Sequence, residues 1–243
     1  MKISKILEIL DKIAPFLDAE EWDNCGLLVG KQSSEVENIY LSLEATLDNI
    51  EQIEEGSLLI VHHPLIFKPL KELDFEQYPA NIIELLIKKN ISLIALHTNF
   101  DKHILNGYVA KKAGFEVKNS DICLEFEVSL SKEELLDMLR CNLKLKNIKL
   151  SNIPEHIKKV AFVCGAGKSF LSSISAEVLI TGDVDYHSAM NAISLGKGLI
   201  DIGHYELEHY FSEALKEKLK KEEITAIIAN SKNPFTYRHF QEI

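Results

Sequence analysis

Leu58-Leu59-Ile60-Val61-His62-His63-Pro64 decides the fold class. Four apolar, partly β-branched residues after Gly56-Ser57 have the composition of a strand covered on both faces, because burial on both sides removes the polar/apolar alternation. Pro64 lacks an amide hydrogen and biases His63 toward an extended backbone, so sheet pairing stops and two imidazoles stand at the strand's carboxyl end. In open α/β sheets that edge is where ligands bind. Consecutive strand side chains point to opposite faces, so His62 and His63 cannot easily grip one ion from the same side, but they could grip two.

Working outward, strands are expected at 39–43 and 91–96, with helices at 47–54, 80–89 and 102–113, the last closed by Gly114 in the usual terminal position. An amphipathic helix on Ile3, Ile6, Leu7, Leu10 and Ile13 opens the chain and ends near Pro15. The order is β-α-β-α. From 123 to 130 apolar and polar residues alternate, as on a sheet with one solvated face, and Ser131-Lys132-Glu133-Glu134 starts a helix with a capping signature. Strands follow at 158–164, 178–180, 198–202 and 224–228, with a long helix over 204–221. The change in strand character near 120–130 divides the chain into an N-terminal α/β lobe, 1–125, and a C-terminal α/β lobe, 126–243, with the final segment able to pack back on the first.

The chain has 243 residues, enough for one large domain or two intimate lobes. Lys plus Arg number 27 against 37 Asp plus Glu, a net charge of −10. A field of that sign repels phosphate backbones, and no basic stripe with interleaved aromatics reverses it locally, so nucleic acid is not an expected partner. The four cysteines, Cys25, Cys123, Cys141 and Cys164, contain no C-x-x-C pair and read as reduced and structural. No apolar run reaches the length of a membrane span and the start lacks a signal-peptide pattern, so a soluble, cytoplasmic protein is expected.

Three groups of metal-ligating residues fall at carboxyl ends of expected strands. The first is His62 and His63; the second is His97-Thr98-Asn99-Phe100-Asp101; the third is Gly203-His204-Tyr205-Glu206-Leu207-Glu208, where His204 and Glu208 are four apart at a helix start and share one face. A histidine on a buried strand is commonly a hydrogen-bonded core residue, and a His/Glu pair at helical spacing is commonly a solvated face. Convergence of three such groups raises the odds of a site. His62, His63, Asp101, His204 and Glu208 exceed what one tetrahedral ion needs and fit a two-metal site with a carboxylate bridge. Imidazole with carboxylate favours zinc, iron, manganese or nickel over calcium. Gly165-Ala166-Gly167-Lys168-Ser169 invites a phosphate-loop reading, but Phe162 stands where that motif's first glycine belongs, and a tight turn before a helix fits better.

Glu21-Trp22-Asp23-Asn24-x-Gly26-Leu27-x-Val29-Gly30, Val61-His62-His63-Pro64, His97-Thr98-Asn99-x-Asp101, Thr181-Gly182-Asp183-x-x-Tyr186-His187-x-Ala189 and Gly203-His204-Tyr205-x-x-Glu208 occur in one order along nearly the whole chain. That set resembles the GTP cyclohydrolase 1 type 2 family, also called the NGG-interacting-factor-3-like family, in its short form without an inserted middle domain. The resemblance implies two α/β lobes of mixed sheets flanked by helices around a dinuclear metal centre, with His62, His63, Asp101, His204 and Glu208 as ligands, and a homohexameric ring. His97, Asp183 and His187 are the candidate catalytic residues, His97 at the bridging carboxylate or substrate and the other two facing the metals from the second lobe. Asp23 and Asn24 read as turn formers.

The function expected on these grounds is metal-dependent hydrolysis of GTP or a related purine nucleotide by water whose pKa the metals lower, with His97 or His187 moving protons and the loop from Asp183 to His187 selecting guanine. The same centre suits a phosphoesterase, and a metal-binding regulatory or scaffold protein without turnover is the alternative of a different class.

Overall fold

The structure is a computed structural model that describes residues 1–229 and 231–238; the last residues of the expected second lobe, 239–243, lie outside it. Among the described residues, ten strands run in chain order as β1 (Gly26–Val29), β2 (Ile39–Ser42), β3 (Leu58–Val61), β4 (Ser92–Ala95), β5 (Leu124–Ser131), β6 (Lys149–Ser151), β7 (His156–Phe162), β8 (Val178–Thr181), β9 (Gly198–Asp201) and β10 (Ile227–Ile228). They form two five-stranded sheets with the orders β1-β4-β3-β2-β10 and β5-β7-β8-β9-β6. In the first, β10, β2, β3 and β4 are parallel and β1 is antiparallel. In the second, β7, β8 and β9 are parallel between antiparallel β5 and β6. This is a mixed α/β fold of two sheets flanked by helices. No helix among the described residues is long and apolar enough to cross a membrane.

The buried strand at 58–61 lies at the middle of its sheet, with Ile60 level with Leu41 on one side and Ile94 on the other. Its side chains divide with the two-residue strand period. Leu58 and Ile60 enter a central core shared with Phe162, Ile180 and Ile200 of the second sheet and with Phe100, Val109 and Phe211 of the helices. Leu59 and Val61 face an outer core with Ile50, Ile83 and Leu86. A third core covers the far side of the second sheet through Leu179, Ala161 and Ala192. Because one apolar core holds both sheets together, their carboxyl ends sit at fixed positions relative to each other. Ile60 is fully buried there, and Ile60→Ala is expected to lower unfolding stability by about 3 kcal/mol through lost transfer energy plus a residual cavity, read from urea denaturation at unchanged m.

Strands β1 and β6 were not expected from the sequence, and several expected elements differ in extent. The helix expected over 204–221 is two, His204–Glu208 and Phe211–Lys221; at the break the His209 ring donates from Nδ1 to the Tyr205 carbonyl at 3.0 Å. The expected helix at 102–113 begins earlier, at Thr98–Phe100, and passes through one widened turn over Asp101–Leu105 before Asn106–Ala113. Such widened turns recur at functional sites because they shift side chains out of helical register. The expected strand 224–228 is only Ile227–Ile228, paired with β2.

Candidate metal centre

The site is assembled from strand ends. His62 and His63 follow β3, His97 follows β4, Asp101 lies in the widened turn just beyond, and His204 and Glu208 occupy one short helix after β9. His62, Asp101 and Glu208 are buried, while His63, His97 and His204 are partly exposed. A left-handed Gly165, φ +61°, lies against Glu208, where an added Cβ would overlap the carboxylate.

Each histidine is anchored through Nδ1. His62 Nδ1 donates to the Leu96 carbonyl at 2.8 Å, His63 to Glu44 Oε1 at 3.3 Å, His97 to Asp23 Oδ1 at 2.9 Å and His204 to Asp183 Oδ2 at 2.8 Å. A proton held on Nδ1 leaves Nε2 as the free ligand atom, and a carbonyl or carboxylate behind a histidine is how metal sites fix ring orientation. The Nε2 atoms then converge. Glu208 Oε2 is 2.7 Å from His63 Nε2, 2.7 Å from His204 Nε2 and 3.8 Å from His62 Nε2. His63 and His204 bring their Nε2 atoms within 3.1 Å.

These contacts fit a cation. Nitrogen and oxygen ligands about 2.1 Å from one ion stand roughly 3 to 4 Å from one another. Three overlapping donor groups have that scale: His63, His204 and Glu208; His62, Asp101 and Glu208; and His62, His63 and His97, the donor atoms within each lying within 4.8 Å. Among the described residues, the buried side-chain polar atoms without a hydrogen-bond partner are Ser57 Oγ, His62 Nε2 and Asp101 Oδ1. The last two face each other at 3.4 Å. An unsatisfied buried donor or acceptor costs about 1–3 kcal/mol, and an ion held by this donor set would satisfy both atoms of the pair.

Burial alone would depress the histidines, but the carboxylates outweigh it. Asp101 and Glu208 raise His62, Glu208 and Glu44 raise His63, and Glu208 with Asp183 pushes His204 up to about 9. Burial raises the Glu208 carboxyl, and its histidine partners reverse this and hold it well below the usual carboxylate range.

Of the residues expected from sequence, the structure brings together His62, His63, His97, Asp101, His204 and Glu208, with Asp183 behind His204. His187 belongs to none of the three donor groups; it is exposed on the helix Tyr186–Ser194, its ring edge-on to Tyr186 at 5.5 Å. Lys168 pairs with Asp185 at 2.5 Å beside a short 3-10 turn, Gly167–Ser172, which answers the phosphate-loop reading. Asp23 and Glu44 were not foreseen as histidine partners. Asp23 does build a turn, accepting from the Asn24 amide at 2.8 Å, but its carboxylate also accepts from His97, the Thr98 amide at 3.0 Å and the Thr98 hydroxyl at 2.5 Å. Those bonds outweigh burial and hold its pKa below the normal range. Position 23 lies 74 residues from His97, so only its place in the Glu-Trp-Asp-Asn motif could have pointed to it.

Gly165→Ala is expected to lower metal affinity about tenfold or more, because the new methyl both strains a left-handed backbone and displaces Glu208. Metal titration by calorimetry against wild type reads the effect; unchanged affinity would place Glu208 outside the ligand set.

A family model described as Duf34/NIF3 (NGG1p interacting factor 3) matches residues 1–234. The chain is 42% identical over 240 residues to a Campylobacter jejuni protein named "GTP cyclohydrolase 1 type 2 homolog", covering 98% of this chain and all of that one. It is likewise 42% identical over 242 residues to a Helicobacter pylori (strain J99) protein named "GTP cyclohydrolase 1 type 2", covering 96% of this chain and 97% of the relative. Among solved structures it is similar to a Staphylococcus aureus hypothetical protein, with TM-score 0.86, 28% identity and coverage of 98% and 99%. It is also similar to reduced HcgD from Methanocaldococcus jannaschii, with TM-score 0.79, 28% identity and coverage of 94% and 97%.

Proposed function

The chain belongs to the Duf34/NIF3 family, and from that premise we propose that it is a metal-dependent hydrolase of a purine nucleotide, GTP foremost. The observation that carries the reading is the convergence of four Nδ1-anchored histidines on Asp101 and Glu208 around the unpartnered His62 Nε2 and Asp101 Oδ1. His62, His63, Asp101, His204 and Glu208 are assigned as ligands of two divalent ions of zinc, iron, manganese or nickel. Bound there, the ions supply Lewis acidity, acidify water and offset the charge that this acidic chain presents to a phosphate-bearing substrate.

The chain's own residues do the rest. Asp23 holds the His97 Nδ1 proton, so Nε2 is the atom that takes a proton from attacking water and returns it to the ring nitrogen released when the imidazole of the base opens. Asp183 and Glu44 orient His204 and His63 in the same way. A cavity of about 720 Å³ begins at Glu44, Asp183 and His204 and is walled by Phe235 and Tyr237. Its volume is in the range of small-molecule sites, and it is assigned to the sugar and phosphates. The hexameric ring is proposed on the family resemblance alone; Leu70, Leu73 and Phe75, exposed on one loop, are apolar surface available to self-association.

The test follows GTP and ATP by chromatography with protein stripped and reloaded with each metal. Slow, metal-dependent opening of GTP in preference to ATP is expected. Release of inorganic phosphate alone would favour the phosphoesterase, and no turnover under any loading would favour a metal-binding scaffold.

A further inference from the structure

Two residues of Glu21-Trp22-Asp23-Asn24 are already employed. Asp23 positions His97, and Asn24 donates from Nδ2 to the Ile66 carbonyl at 2.6 Å, tying this segment to the turn that follows His63-Pro64. The tie brings Trp22 against Phe67, ring centroids 5.8 Å apart. Both rings stand nearly perpendicular to His97, at 6.2 and 6.3 Å with interplanar angles of 79° and 81°. Trp22 is nevertheless 58% exposed and Phe67 42% exposed. A fixed aromatic pair left in solvent beside convergent polar groups is the composition of a binding site.

We propose that the exposed faces of Trp22 and Phe67 are the stacking platform for the substrate's planar heteroaromatic ring, presenting its edge to His97 and the ligand cluster. The proposal rests on the purine-nucleotide reading and names the residues that grip the base. Chemistry selects the base as occupant: a neutral planar ring stacks on the two aromatic faces without electrostatic cost, whereas Trp22 and Phe67 offer a phosphate neither charge nor a convergent set of donors. The span also suits a nucleotide. Ring centroids step 6.2 Å from Trp22 to His97, 5.6 Å on to His63 and 5.1 Å on to His204, where the cavity begins. A nucleotide with its base on Trp22 therefore reaches the cavity across the donor atoms.

Trp22 is the one tryptophan in the chain, so its emission reports on the platform alone. Guanosine, GTP and ribose 5-phosphate are titrated into metal-loaded and metal-stripped protein. Saturable quenching by guanosine and GTP is expected in both, with none from ribose 5-phosphate. By equilibrium dialysis Trp22→Ala should weaken GTP binding between about 5- and 150-fold with metal content unchanged, and Trp22→Phe should restore most of it. Binding of GTP without an emission change and with equal affinity in Trp22→Ala overturns the platform. Emission that responds to protein dilution and not to nucleotide also overturns it, because a second copy of the chain then covers Trp22. Quenching without turnover leaves the platform standing and removes the hydrolase reading; turnover with unchanged KM in Trp22→Ala does the reverse.

Discussion

Glu208→Gln is expected to strip the protein of nearly all bound metal, lowering affinity by at least about 100-fold. Losing a partner that merely orients a ligand already costs 10- to 100-fold, and Glu208 sits inside the donor set. Its Oε2 lies 2.7 Å from both His63 and His204, and it is the carboxylate common to two of the three donor groups. Glutamine keeps the volume but removes the charge. Asp101→Asn, in one group only, should lose less, and His97→Ala least. Elemental analysis after dialysis at fixed free metal decides the order; equal losses in Glu208→Gln and His97→Ala would mean that Glu208 is no shared ligand.

The same carboxylate sets how protons compete with metal. An ordinary histidine titrates near 6.5, and His204 is raised to about 9 in the folded protein, burial notwithstanding, by Glu208 and Asp183. A raised folded pKa stabilises the metal-free protein fully below about 6.5, and that contribution disappears as pH rises through about 9. Metal-free protein should therefore unfold at lower urea concentration at pH 9.5 than at pH 6.5. Metal affinity should move the other way, rising up to about tenfold per pH unit for each proton displaced, because ligation needs neutral imidazoles. Glu208→Gln should flatten both slopes.

His97→Ala is expected to reduce GTP turnover by about 10²- to 10⁴-fold, the usual worth of a positioned acid–base group, with metal content retained. The anchoring of His97 by a fully buried Asp23 carboxylate at 2.9 Å is the basis for assigning it proton transfer. Asp23→Asn, which can no longer accept both the His97 and Thr98 hydrogens as an anion, should cost about 10- to 100-fold and shift the pH profile. Parallel loss of metal and turnover in His97→Ala would instead make His97 a ligand in the group with His62 and His63.

Short-range features of the centre were legible in sequence because they are spacing rules. Four buried apolar residues ending at His-His-Pro place two imidazoles at a strand end, and His204 and Glu208 four apart on a helix meet at 2.7 Å. The motif set in its order carried the family, and with it the mixed α/β fold of two sheets. Apart from its place in that motif set, the Glu21-to-Asn24 stretch was legible as a turn, since nothing local says that its aspartate bonds a histidine 74 residues on. Nor does any period show that Gly165 must lack a Cβ to make room for Glu208, or that Glu44 stands behind His63. His187 shows the limit from the other side: it belongs to a motif yet lies exposed on its helix.

Sequence by itself thus determined which residues stand at strand ends and helix starts, through local periodicity, proline and capping. Tertiary structure alone decided which of them meet: His63 and Glu208, 145 residues apart, are joined because Ile60 of one sheet and Phe162 and Ile200 of the other share a single close-packed core. Dense packing of that kind holds the two sheet edges in one relative position, and the convergence of their donor atoms follows from it.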